Sequence, residues 1–282
     1  MFHVGLLVAG SYFCILSLWW LTKTTVHYYH CRQCHLDFRS SATFPCCLSC
    51  KSRPVDGICK IVISGILAFS EFSFDKGYYE EGVFISNTEL GTIFVFLMFS
   101  GVMDVLAKWG SRSFYQHIDY AGLVLFFAAE AAILASRSYS AEQPLATLFS
   151  LTGCGALACM IMTVVEAVQS EQVLCPLTRS YLLLWQGTWI LHVSLLTPGG
   201  VRSQGIESDR DSVVLFSMFF VWHGAINFFI TLCMWLLVGK LVDKNCCPCG
   251  ESSAAGRTDD IFLENRVPFN YHVLDRLDSE TE

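Results

Sequence analysis

Residues 179–239 read RSYLLLWQGTWILHVSLLTPGGVRSQGIESDRDSVVLFSMFFVWHGAINFFITLCMWLLVG. Two uncharged runs lie inside this stretch, Ser180–Val201 and Ser212–Gly239. Each exceeds the roughly 20 apolar residues that a helix needs to cross a bilayer. A short charged segment separates them, so they predict two antiparallel transmembrane helices. Gln186, His192, His223 and Asn227 interrupt the apolar surface, and hydrocarbon does not accept such groups without partners.

The rest of the chain extends this pattern. Of 282 residues, 53% are hydrophobic and only 15% charged, against about 25% charged in soluble domains. Residues 2–22 and 144–165 form two further uncharged runs. Three more are interrupted: 55–74 by Lys60 and Glu71, 90–109 by Asp104, and 118–136 by Glu130. Lys60 and Glu71 flank an apolar centre, IVISGILAFS, and long side chains there can reach the interface. No Lys or Arg precedes the first run, which continues without a break to Thr22 and ends in Trp19-Trp20. It therefore lacks the form of a cleaved signal peptide and predicts a retained span. The expectation is an all-α polytopic membrane protein, a bundle of seven transmembrane helices. Residues 23–54 form a Cys-rich loop within it, and residues 241–282 a polar tail with too few apolar residues to fold alone.

Basic residues orient the bundle. Seven spans place loops 1, 3 and 5 and the tail on one side, with fourteen Lys and Arg, and only Lys76, Arg137, Arg202 and Arg210 on the other. The positive side is cytosolic, which puts the amino terminus outside or lumenal and the carboxyl terminus in the cytosol. The opposite rim is acidic, with Glu80, Glu81, Glu89 and Glu207 among its charges. The net charge of −7 and the lack of a basic stripe argue against nucleic acid as a partner. The expected partners are the bilayer itself, other membrane proteins and sorting adaptors.

Ten of the fourteen cysteines fall on or near the predicted cytosolic face. Cys31-x2-Cys34 and Cys47-x2-Cys50 have a spacing that suits a structural zinc site of four thiolates. Their closeness to span ends equally suits S-acylation, and both readings stay open beside a purely structural one. Apart from that zinc no cofactor is expected. In the tail, Cys246, Cys247 and Cys249 suit acylation, and Tyr271-x-x-Leu274 has the form of an adaptor-read sorting signal. Cys14, Cys154, Cys159 and Cys233 lie within spans and are expected to pack as small residues.

Asp104, Glu130, Gln186, His192, His223 and Asn227 are the candidate ligand or ion site of the bundle interior. Asp104 and Glu166 fall near cytosolic span ends, Glu130 and His192 in the outer half. Asn227 follows His223 by four residues and shares its helix face. The alternative role for such groups is hydrogen bonding between helices. An intramembrane zinc hydrolase of the ceramidase type needs several histidines, including an i, i+4 pair. This chain has two deep histidines on different helices and no HxxxH pair. No nucleophile elbow is present either. The third span ends Asp104-Val-Leu-Ala-Lys-Trp109, unlike the Asp/Glu-Arg-Tyr form of G-protein-coupled receptors. The expectation is a non-enzymatic scaffold, trafficking or lipid-binding protein. The alternatives are a proton or small-solute pathway and, below it, a lipid-modifying enzyme.

The chain resembles the transmembrane protein 45 family, a seven-span group of unknown molecular function that includes the transmembrane epididymal protein. The resemblance lies in Gly10-x2-Phe13, Leu18-Trp19-Trp20, Gly101-x2-Asp104 and Glu130. It continues in Arg179-Ser180, Leu184-x-Gln186-Gly187-Thr188-Trp189 and Trp222-His223. It implies fold and topology and no reaction. The family's histidines before the third span and after the fourth are replaced here by Thr88-Glu89-Leu90 and Arg137-Ser138-Tyr139, and Phe149 stands where another is expected.

Overall fold

In a computed structural model, residues 4–42, 55–74, 86–109, 118–196 and 209–245 are described. Among them are seven α-helices and no strand: α1 (Val4–Gln33), α2 (Val55–Phe74), α3 (Asn87–Trp109), α4 (Ile118–Ser140), α5 (Leu145–Val168), α6 (Leu174–Leu196) and α7 (Asp209–Asn245). By length and composition, α1, α3, α4, α5 and α7 are apolar enough to cross a membrane. The helices α2 and α6 have 20 and 23 residues, enough for about 30 Å of hydrocarbon. Internal charged and polar residues set them apart from the other five.

Sequence neighbours pack in succession from α2 through α6, and α1 then closes onto α6 and α7, with a narrow contact to α3. The pairing of α1 with α6 follows from two glycines. A Cβ built on Gly10 would lie 2.9 Å from the carbonyl oxygen of Gly187, and one on Gly187 would lie 2.9 Å from the backbone nitrogen of Cys14. Small residues let helix backbones approach this closely inside a membrane. Gly57 and Gly101 do the same for α2 and α3: a Cβ on Gly101 would lie 2.8 Å from the Gly57 carbonyl oxygen. Gly187→Ala is therefore expected to destabilise the fold by about 1–3 kcal/mol through overpacking, although alanine is the better helix former. Gly155→Ala serves as the control, because its Cβ meets only the Gln186 side chain at 3.7 Å. Unfolding titrations in detergent read the difference. Equal stability of the two variants would contradict the close crossing.

The core runs along the bundle axis, with Phe13, Trp20, Phe94, Phe126, Phe127, Phe149 and Trp189 almost wholly buried. The outside is apolar as well. On α7, Val214, Val221, Trp222 and Phe229 are each at least 60% exposed, the pattern of a surface that meets lipid rather than water.

Several helix ends differ from the sequence expectation. The first helix continues past Thr22 to Gln33, so Cys31 and Arg32 are helical residues and not part of a loop from residue 23. It ends in a Schellman cap: Leu36 N–H donates to the Cys31 carbonyl at 2.9 Å and His35 N–H to that of Arg32 at 3.4 Å. His35 takes the left-handed position with φ 53°. The sixth helix begins at Leu174, not Ser180, and takes in Arg179. The seventh reaches Asn245, so residues 241–245, expected in the tail, are helical, and the rest of that expected tail lies outside the described residues. The third starts in a capping box, where Ser86 N–H donates to Glu89 Oε2 at 3.0 Å and Glu89 N–H to Ser86 Oγ at 3.3 Å. Cys47 and Cys50 of the proposed zinc site, the acylation cluster Cys246, Cys247 and Cys249, and Tyr271 and Leu274 lie outside the described residues.

Candidate functional site: buried polar clusters and an apolar cavity

Two ion pairs occupy the end of the bundle where α1, α3 and α5 finish and α2, α4 and α6 begin. Lys60 Nζ lies 2.6 Å from Asp104 Oδ2, with the two side chains 1% and 0% exposed. Lys60 therefore does not reach for an interface as expected; it turns into the bundle and meets a carboxylate. Arg179 Nε lies 2.6 Å from Glu166 Oε2, and both side chains are fully buried. Arg179 thus joins α5 to α6 and does not mark a helix boundary.

Trp20 of α1 connects the two pairs. The Arg179 guanidinium carbon is 4.4 Å from its ring centroid and Lys60 Nζ is 5.1 Å away. Both distances are within the range of a cation–π contact. Neighbouring residues complete the cluster. Tyr120 OH donates to Glu166 Oε1 at 3.1 Å, Ser40 Oγ also donates to Glu166, and Ser40 N–H donates to the Ser170 carbonyl at 2.6 Å. Trp19 Nε1 donates to Asp56 Oδ1 at 2.7 Å. Side chains from the first six helices thereby meet at one level. At the opposite end, Arg137 makes a bidentate contact with Glu89 at 2.6 and 2.7 Å. That pair is about a third exposed, so solvent screens it and it contributes less.

The six residues expected to form one polar interior separate into three groups. Asp104 belongs to the ion-pair cluster. Glu130 Oε1 accepts from Gln186 Nε2 at 2.7 Å, and Gln186 Oε1 faces Cys159 Sγ at 3.5 Å. Glu130 Oε2 has no hydrogen-bond partner among the described residues, and a cavity of about 20 Å³ borders this side chain. His192, His223 and Asn227 form the third group. The two imidazole centroids are 5.0 Å apart, and Trp189 stacks on His192 at 5.7 Å. Asn227 Nδ2 donates to Thr188 Oγ1 at 2.7 Å, and His223 Nδ1 lies 3.3 Å from the same oxygen. Among the described residues, no three of His, Cys, Asp and Glu gather closely enough to hold one metal ion.

Lys60, Glu166, Arg179, Trp20 and Tyr120 were not among the expected site residues, although they form the most heavily buried charged cluster. One signal was available in the sequence. Glu166 and Arg179 flank a short turn between two apolar runs, so an acid and a base face each other across it. Cys159 is buried as expected, whereas Cys154 and Cys233 are exposed and do not pack inside. Cys31 and Cys34 each lie beside the histidine four residues earlier, with sulfur to imidazole nitrogen distances of 3.8 and 3.9 Å.

A second cavity, of about 170 Å³, lies between α5, α6 and α7. Small residues of α5 (Gly155, Ala158) face large ones of α6 (Trp185, Trp189), and Phe220 of α7 closes one side. Trp185 is held by a bond from its Nε1 to the Phe220 carbonyl at 2.9 Å, and Trp189 by one to Thr152 Oγ1 at 3.0 Å. The lining is almost entirely apolar.

Residues 117–236 match the model of a family of unknown function (DUF716). The match takes in α4, α5, α6 and most of α7, and with them Glu130, Glu166, Arg179, both histidines and the larger cavity. Trp20, Lys60 and Asp104 lie outside it.

Proposed function

We propose that this chain is a seven-span integral membrane protein of the transmembrane protein 45 type, a non-enzymatic module that binds lipid and holds membrane partners. Its amino terminus is outside or lumenal and its carboxyl terminus cytosolic. One observation carries the reading. The intramembrane ionisable groups are tied to different neighbours, Asp104 to Lys60, Glu166 to Arg179 and Glu130 to Gln186. They do not line a shared cavity, as a catalytic or conducting site requires. The same contacts support membrane spans at α2 and α6, since their cations are neutralised inside the bundle. With Lys60 and Arg179 buried, the positive side still has twelve basic residues against four.

Proton and solute flux into proteoliposomes tests this reading. Flux at the level of empty liposomes is expected, unchanged in His223→Ala. A proton flux that disappears in His223→Ala or Glu130→Gln would replace it with the pathway reading.

A further inference from the structure

We infer that the cavity between α5, α6 and α7 is a lateral binding slot for the end of a single acyl chain. The inference rests on the proposal that these three helices cross a bilayer. Three features select this occupant.

The first is chemistry. Apart from Thr152 and Gln186, the wall is hydrocarbon, aromatic or sulfur, and the polar groups of those two residues are already engaged. Thr152 Oγ1 donates to the Leu148 carbonyl at 2.8 Å and accepts from Trp189, while Gln186 Nε2 donates to Glu130. No free polar atom is offered to a headgroup, so the ligand must be apolar where it enters.

The second is size. A dry, apolar protein cavity of about 150 Å³ accommodates benzene, and this one is about 170 Å³. A short run of methylenes fits; a four-ring sterol does not.

The third is access. Cys154 lines the cavity and is exposed, and Leu157 and Ile161, further along α5, are 44% and 51% exposed. The slot is therefore continuous with the apolar outer face that is read as meeting lipid. Sparse packing between α5 and α7 keeps it open. Small side chains on α5 opposite two tryptophans of α6 give it its shape.

Gly155 supplies the test. A Cβ there makes only ordinary contacts with Gln186, at 3.7 to 3.9 Å, so a larger side chain can fill the slot without moving a backbone. The full chain in liposomes is titrated with a fatty acid brominated near its chain end, and tryptophan fluorescence is read. Bromine quenches Trp185 and Trp189 in the slot, and also Trp222, which is 60% exposed on α7. In the parent, a saturable component is expected on top of linear quenching. In Gly155→Leu most of the saturable component disappears and the linear part remains, with Gly155→Ala intermediate and both variants unfolding like the parent. Saturable quenching that survives in a folded Gly155→Leu would overturn the slot, as would purely linear quenching in the parent. Saturation by a brominated sterol and not by the fatty acid would overturn the acyl assignment. If neither the saturable nor the linear component is seen, the membrane placement itself fails, which is a different result from an empty slot.

Discussion

Arg179→Met is expected to destabilise the folded chain by about 3–5 kcal/mol, because it leaves Glu166 as an uncompensated buried charge. The carboxylate would keep hydrogen bonds from Tyr120 and Ser40, which soften the loss without neutralising it. The cation–π contact with Trp20 would also go, a further contribution of about 2 kcal/mol in a desolvated setting. The measurement is reversible unfolding by an ionic detergent in mixed micelles, followed by circular dichroism. Pairing the change with Glu166→Leu should restore most of the stability, since removing both charges is far cheaper than removing one. A loss below about 1 kcal/mol, the level of exposed pairs, would show that Arg179 and Glu166 reach solvent.

Lys60→Met is the second large effect, and it acts on more than stability. Asp104 would be left in the bundle with both side-chain oxygens away from solvent, at a cost again on the order of 3–5 kcal/mol. In addition α3 would carry an uncompensated carboxylate beside α2 as the pair inserts. The fraction of chains with α3 across the membrane is expected to fall, and to recover in Lys60→Met combined with Asp104→Leu. Thiol labelling of single cysteines placed before and after α3 reads that fraction. Full insertion in the single variant would contradict the role given to the pair. Because Trp20 touches both cations, losses in Lys60→Met and Arg179→Met should not add independently.

Uncharged length was enough to find helices in the sequence, and it misplaced their ends wherever a charge was buried. The uncharged run begins at Ser180 and leaves Arg179 outside it; with Glu166 beside it, the arginine belongs inside. Lys60 likewise turns inward because Asp104 is there to meet it. Pairing between helices is a tertiary fact, and hydropathy along one helix cannot report it. The end of α1 was missed for a different reason. Residues 23–33 are polar enough for a loop, yet they stay helical to a Schellman cap at His35 and rest on α7, where the Tyr28 and Tyr29 rings pack at a tilt against Trp235 with centroids 5.2 and 5.5 Å away.

The polar interior was legible as a set of residue types and not as an arrangement. His223 and Asn227 share a face as their spacing requires, and Thr188 joins them. Nothing in the spacing separates Asp104 from Glu130, which the fold assigns to different clusters. The cavity was not legible at all. It arises because Gly155 and Ala158 on one helix face Trp185 and Trp189 on another, and each residue alone is an ordinary core choice.

The central claim, seven spans with α2 and α6 among them, is tested most directly by the sidedness of the segments that flank those two helices, because five spans would also place the termini on opposite sides. Small epitope tags between α1 and α2, α2 and α3, α5 and α6, and α6 and α7 are probed in intact and selectively permeabilised cells. Seven spans predict the first and third tags in the cytosol and the second and fourth outside or lumenal. Both tags that flank α2, or both that flank α6, on one side of the membrane would contradict the account.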